Sequence, residues 1–300
     1  MAFLHAATSS HGDSKSVLRS RGFTPYLLLA PGMLWLITFF IIPIFSLAST
    51  STMVRPDGAP LGQYVQKFRF QNYVDAFQAN QAQYLRSFLY AGIATLLALA
   101  IAYPLAYMIA FRAGRFRNVL LVMVVAPFFT SFLLRTIAWT QILGDDGPVV
   151  SFLKSLPFVT DSLRLTATPF AVVSGLTYNF LPFMTLPLYA SLERIDPRTL
   201  EAAGDLYANA FTTFRKVTVP LSMPGVVAGT LLTFIPAAGD YVNASILGNP
   251  NTKMIGNVIE SRFFAVVDYP TAAALSFTLM ATILILVTLY IRRSGTDELV

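Results

Sequence analysis

Few side chains in this sequence are of the types that carry out covalent chemistry. The 300 residues include no cysteine and only two histidines, His5 and His11, both near the start of the chain. The phosphate-binding pattern G-x-x-x-x-G-K-[ST], the zinc pattern H-E-x-x-H and the nucleophile elbow G-x-S-x-G do not occur. We predict a protein that is not an enzyme, with no catalytic residue, no metal site and no bound cofactor.

Two charged residues stand inside long apolar runs, where an ionised group usually has a partner or faces a water-filled cavity. They are Asp240, close to Pro236 and Gly239, and Arg135 in an earlier run. Since a helix rises 1.5 Å per residue, both fall near the same end of their helices. One hypothesis is therefore that Arg135 and Asp240 form a buried structural pair.

The alternative hypothesis gives Asp240 a role in passing a cation. In this interpretation Tyr241 and Asn243 accompany it, and Tyr178 and Asn179 of another apolar run line the same path. Carboxylates attract cations by Coulomb interaction, and aromatic faces attract them through cation–π contacts. An arginine beside Asp240 would offset that attraction.

The elements that position these residues are membrane spans. Hydrophobic residues make up 55% of the chain and charged residues 12%, about half the charged fraction of soluble domains. A hydrocarbon core is crossed by roughly 20 helical residues. We predict an all-α membrane protein with six transmembrane helices, near residues 26–50, 86–111, 118–141, 168–192, 222–247 and 271–291.

Lysine and arginine set the expected orientation, because they concentrate in cytoplasmic loops. Twelve of the 21 lie in the amino-terminal arm, the short loops after the second and fourth spans, and the tail. We therefore expect a cytoplasmic arm at 1–24, one transmembrane domain at 25–292 and a cytoplasmic tail at 293–300. Basic residues in loops beside the membrane lipids therefore account for much of the net charge of +6, and no nucleic-acid partner is expected.

The loop between the fourth and fifth spans, residues 194–224, is the most organised polar segment. Asp196 followed by Pro197 is a typical helix start, since Asp caps free N–H groups and Pro fits the first turn. Asn209 begins a second short helix, and Pro220 is expected to end it. The segment either lies on lipid headgroups through an apolar face or docks another protein.

The same loop resembles the EAA loop of ABC-importer permeases, on Glu201-Ala202-Ala203 and the later V-T-V-P that ends at Pro220. In that family the loop holds a coupling helix that fits a groove in a separate ATPase. The family glycine is replaced by Tyr207, so we expect the turn to shift towards Gly204 or Asn209. The resemblance assigns ATPase coupling to six residues: Glu201, Ala202, Ala203, Asp205, Tyr207 and Pro220.

Residues 127–143 and 234–259 are similar to the polyamine branch of these importers, which takes up spermidine and putrescine. The resemblance implies the type I (MetI-like) permease fold, a bacterial inner-membrane location and three partners. These are an ATPase dimer that carries ATP and Mg, a second homologous permease and an extracytoplasmic binding protein. Other branches import ferric iron, thiamine or phosphonates, so these substrates stay open. A stand-alone secondary transporter or channel is the alternative from another class.

Overall fold

The computed structural model describes residues 24–157, 159–160 and 162–294. Of the predicted arm at 1–24, only residue 24 is among the described residues. Of the predicted tail at 293–300, only residues 293 and 294 are among them. The chain divides into two compact units, residues 1–47 and 48–300.

The first unit is, in its described part, one apolar helix. It comprises α1 (Thr24–Leu36), a π-helical turn (Ile37–Ile41) and the start of α2 (Ile42–Ser51). Most of its side chains from Tyr26 onward are exposed and nearly all are apolar. The stretch Tyr26–Ser51 is long and apolar enough to cross a membrane, as predicted for the first span.

In its described part, the second unit consists of helices, connecting loops and a two-stranded antiparallel hairpin, β1 (Met53–Val54) with β2 (Val65–Gln66). Its helices are α3 (Gln71–Ala79), α4 (Gln81–Phe111), α5 (Arg117–Val125), α6 (Phe132–Ile142), α7 (Pro148–Lys154), α8 (Pro169–Glu193), α9 (Pro197–Asp205), α10 (Ala210–Thr213), α11 (Val219–Leu221), α12 (Met223–Ala238), α13 (Val242–Leu247), α14 (Ile255–Glu260) and α15 (Tyr269–Ser294).

Within the described residues, four helical stretches are long and apolar enough to span a membrane, and six if each of two bent pairs counts as one span. The predicted second, fourth and sixth spans are the single helices α4, α8 and α15. The predicted third span is not straight, because it bends by 99° between Gly114–Phe129 and α6. The predicted fifth span is broken between α12 and α13, and its start is bent by 62° from the segment before it.

The core of the second unit is formed by α4, α8 and α12, which pack closely through small residues. One face of α4 carries a stripe of fully buried alanines, and α12 contributes two glycines, at positions 225 and 229. A Cβ on Gly225 would lie 2.6 Å from Ser191 Cβ and 2.7 Å from Pro187 O. Small residues allow the backbones of membrane helices to approach in this way.

Gly225→Ala is expected to destabilise the protein by about 1–3 kcal/mol, because the added methyl group overlaps the backbone of α8. The matched control is Gly92→Ala in α4, where an added Cβ has no neighbour within 4 Å. The control should unfold at the wild-type temperature or slightly above it, since alanine favours a helix over glycine. Thermal unfolding of the purified variants in detergent measures both, and equal melting temperatures would contradict the close α8–α12 contact.

Candidate functional site

The predicted fifth span is interrupted at Gly239, Asp240 and Tyr241, between α12 and α13. The Asp240 carboxylate, 8% exposed, accepts hydrogen bonds from Asn243: Oδ1 from the backbone N–H at 2.8 Å and Oδ2 from Nδ2 at 3.2 Å. An acidic side chain is a favourable acceptor for the free N–H groups at a helix start. Asp240 therefore holds the first turn of α13 in place.

A buried polar network continues from Asn243 into the third and fourth spans. Asn179 Nδ2 donates to Asn243 Oδ1 at 2.9 Å and to Thr136 Oγ1 at 3.1 Å. The side chains of Asn179 and Asn243 are 1% and 0% exposed. The two amides that were predicted to line a path are thus enclosed by protein and bind each other. Gly175 makes this possible, since a Cβ there would overlap both Leu247 and Asn243.

Asn179→Leu is expected to lower the free energy of unfolding by about 1–3 kcal/mol, because it removes the Nδ2 donor that binds both Asn243 Oδ1 and Thr136 Oγ1. Thr233→Val is the matched control, since the buried Thr233 hydroxyl has no hydrogen-bond partner within the described residues. The control should be as stable as the wild type or more stable. Denaturation of the two variants in detergent measures the difference, and an unchanged Asn179→Leu protein would refute the network.

The predicted pair of Arg135 with Asp240 is wrong in this structure. Arg135 Nε and Nη1 are buried without a hydrogen-bond partner among the described residues, and the guanidinium lies 5.8 Å from the Phe128 ring and 5.7 Å from the Phe132 ring. The prediction assumed a straight third span, whereas the 99° bend precedes Arg135 and changes the direction of α6. It is Thr136, about 100° further around the helix, that reaches the network.

The two predicted tyrosines have different surroundings. Tyr178 packs edge-to-face with Trp139 at 5.5 Å between ring centroids, so it supports the wall between the third and fourth spans. Tyr241 is 47% exposed and lines a cavity of about 250 Å³ together with Glu260, Phe263 and Phe264. Sequence reasoning missed these last three residues. Their signal was an acid three positions before a phenylalanine pair, next to the segment that carries the family resemblance.

The segment between α8 and α12 begins its two short helices at the caps that the sequence predicts. Asp196 caps α9, with its Oδ1 accepting from the N–H of Arg198 at 2.9 Å. Asn209 caps α10 in the same way, with its Oδ1 accepting from the N–H of Thr212 at 2.8 Å. Pro220 does not end its helix; it stands in the first turn of α11, which continues to Leu221.

The turn after α9 lies at Tyr207, and the expected shift to Gly204 or Asn209 is wrong. The N–H of Tyr207 donates to Gly204 O at 2.9 Å, and that of Ala208 to Ala203 O at 3.1 Å. These two bonds define a Schellman motif, whose turn residue is usually glycine in the left-handed region. Tyr207 adopts that region with φ of 59°, which costs about 1–2 kcal/mol for a residue with a Cβ.

The exposed face of α9 carries its charged residues, the basic Arg198 together with the acidic Glu201 and Asp205. Glu201, Ala202 and Asp205 are exposed, whereas Leu200 packs against the buried core. Tyr207 is 98% exposed at the tip. The segment therefore has a charged and aromatic exposed surface, and its opposite face packs against the spans.

Comparison with known proteins identifies the family. The family model described as "Binding-protein-dependent transport system inner membrane component" matches residues 102–294. The chain belongs to this family. It is accordingly a multi-pass protein of the bacterial inner membrane.

Two members of this family with a known role are similar in sequence to this chain over most of their length. The spermidine/putrescine transport system permease protein PotB of Haemophilus influenzae is 38% identical over 259 residues, 86% of this chain and 90% of that protein. PotB of Escherichia coli K12 is 35% identical over 261 residues, 87% of this chain and 94% of that protein.

Solved structures of ABC importers share the fold of this permease. A bacterial alginate ABC transporter in complex with an alginate pentasaccharide-bound periplasmic protein matches with a TM-score of 0.73 and 18% identity, over 91% of this chain and 94% of that chain. A second alginate importer structure matches with a TM-score of 0.67 and 16% identity, over 92% and 96% of the two chains. The helical permease fold is thereby shown.

Proposed function

We propose that the chain is the permease subunit of an ATP-driven importer for polyamines such as spermidine and putrescine. The observation that carries this proposal is its 38% identity to a spermidine/putrescine permease over 86% of the chain. The substrate would arrive on an extracytoplasmic binding protein and leave into the cytoplasm. We propose six spans between residues 25 and 292, with both termini in the cytoplasm.

The charged and aromatic surface of α9 and its turn is the proposed contact with the ATPase dimer. Exposed Glu201 and Asp205 offer negative charge to a basic groove, and Ala202 permits close approach of backbones. Motion of that groove would reach the spans through Leu200, which packs against the core. ATP and Mg would bind to the ATPase subunits, and this chain would supply no group to ATP hydrolysis.

The proposed route for the substrate passes the break at residues 239–241. Asp240 accepts hydrogen bonds from Asn243 and is not paired with Arg135, so its carboxylate would attract a cation. The exposed ring of Tyr241 borders the same break. Tyr178, Asn179 and Asn243 hold this wall together, and a second homologous permease would form the opposite wall.

Reconstitution of the assembled complex in liposomes tests this function. We expect Mg-ATP inside the vesicles and a loaded binding protein outside to drive accumulation of radiolabelled spermidine or putrescine. Ferric iron, thiamine and phosphonate serve as competing cargoes. ATP-driven uptake of one of these without polyamine uptake would overturn the substrate assignment. Accumulation by this chain alone, driven by an ion gradient, would overturn the importer assignment.

A further inference from the structure

Three carboxylates lie between residues 239 and 268, and they differ in their partners. Asp240 binds the backbone and side chain of Asn243. Asp268 faces Arg262, with Oδ2 3.4 Å from Nη1. Glu260 has neither a hydrogen-bond donor nor an ion-pair partner in the described part of the chain, although its side chain is only partly exposed. It is therefore available to a ligand.

Glu260 opens into the cavity of about 250 Å³ beside the broken fifth span. The other walls are Gly239, Tyr241, Gly256, Ile259, Phe263 and Phe264. The position of Gly256 explains why the cavity adjoins the break: a Cβ there would lie 2.5 Å from Gly239 O. The two helical pieces therefore touch through backbone at this point.

A π-helical turn over Ser261–Ala265 follows Glu260 and carries the two phenylalanines. Such turns add a residue to the helix and often occur at functional sites. Phe263 and Phe264 stand edge-to-face with centroids 5.0 Å apart, and both are exposed. Large exposed rings next to an unpaired carboxylate give the cavity both apolar and negatively charged walls.

The neighbouring basic groups do not neutralise this site. Arg262 is directed to Asp268, and Arg86 donates to the carbonyl of Lys253 at 2.9 Å. Arg135, the cation expected next to Asp240, lies against two phenylalanine rings. The negative charge of Glu260 is therefore left without a cationic partner in this wall of the cavity.

We infer that this cavity binds one protonated amino group of a linear polyamine, together with its adjoining methylenes, as the substrate passes the break. The Glu260 carboxylate receives the ammonium, and the rings of Tyr241 and Phe264 contact the ammonium and the alkyl chain. This inference rests on the proposed function and names the site at which that substrate is recognised.

The dimensions and chemistry of the cavity distinguish an amine from other cargoes. Its volume is below the roughly 300–1,000 Å³ of pockets for drug-sized ligands, so it suits one end of a slender chain. Hard metal cations need about six oxygen ligands, whereas the only carboxylate in this wall is Glu260. An anionic phosphonate would be repelled.

The experiment compares ATP-driven uptake by three variants of the reconstituted complex. Glu260→Gln keeps the size of the side chain and removes its charge; Phe264→Leu removes an exposed ring. Asp57→Asn, in the exposed segment before β2, is the control for loss of one negative charge elsewhere. We expect the initial rate of spermidine uptake at low substrate concentration to fall about tenfold in Glu260→Gln and about threefold in Phe264→Leu, with the control unchanged.

Basal ATP hydrolysis and co-purification of the subunits should stay at wild-type values in all three variants. Equal uptake by Glu260→Gln and Asp57→Asn would overturn the inference while leaving the polyamine function intact. If the wild-type complex carries no polyamine, the proposed function fails, and the inference fails with it. If the Glu260→Gln complex does not assemble, uptake by Phe264→Leu tests the inference instead. The Phe264 ring is exposed, so its removal should not disturb the core.

Discussion

Replacing Glu201 by lysine is expected to reduce ATP-coupled uptake by at least about tenfold while the permease itself remains folded. The Glu201 side chain is exposed on α9 and makes no hydrogen bond or ion pair with the described residues, so the change leaves the internal contacts of the chain as they are. It reverses one charge on the surface proposed to meet a basic groove of the ATPase, and a charge mismatch at an interface costs several kcal/mol. Uptake and ATP hydrolysis measured on the same vesicles give the coupling ratio.

The control for Glu201→Lys is Asp57→Lys, which makes the same reversal at an exposed position on the proposed outer side. It should leave the coupling ratio unchanged. Wild-type ATPase binding together with a wild-type coupling ratio in Glu201→Lys would remove this face of α9 from the proposed interface.

Replacing Asp240 by asparagine is expected to lower polyamine uptake by about ten- to thirtyfold without preventing assembly. Asparagine retains an oxygen that accepts from the N–H of Asn243, so the start of α13 keeps its cap. The lost charge acts over several ångströms at an effective dielectric constant of about 20, which corresponds to roughly 2 kcal/mol of attraction for each ammonium. Initial rates at low substrate concentration, with co-purification of the subunits, provide the measurement.

Asp240→Ala separates the charge of this residue from its hydrogen bonds. Alanine leaves the N–H and Nδ2 of Asn243 without their acceptor, so this variant should lose thermal stability as well as uptake. Asp240→Asn with wild-type uptake would assign Asp240 to structure alone, and the cation attraction would then fall to Glu260.

Local rules predicted the features of this chain that are determined over a few residues. The caps at Asp196 and Asn209 follow from the preference of short polar side chains for free N–H groups, and both are present. The second, fourth and sixth spans follow from length and hydropathy, and they are single helices. These features depend little on the rest of the fold.

Features that depend on contacts between distant segments were not predictable in this way. The helical rise per residue predicted that Arg135 and Asp240 lie at the same depth along their spans. That prediction holds only for straight helices, whereas both spans bend or break. The network of Thr136, Asn179 and Asn243 joins three segments up to 107 residues apart, and the close approach at Gly175 permits it. Neither relation leaves a periodic pattern in the sequence.

Tyr207 illustrates a conflict between a local preference and a larger motif. Its Cβ disfavours the left-handed region, which led to the expectation that the turn would move. The two hydrogen bonds of the Schellman motif nevertheless fix the turn at this position, and together they offset the local strain. The exposed ring thereby occupies the tip of the surface proposed to dock the ATPase.

The most direct test of the central claim is a site-directed crosslink between Ala202 and the ATPase subunit. Since the chain has no cysteine, Ala202→Cys provides a single reactive thiol on the exposed face of α9. A short bifunctional reagent that joins thiols to amines should link this variant to the ATPase. The yield of this crosslinked product should change when ATP is added. Asp57→Cys, on the proposed outer side, should give no such product. An Ala202→Cys complex that yields no ATPase adduct, or an Asp57→Cys complex that does, would contradict the assignment of this segment to ATPase coupling.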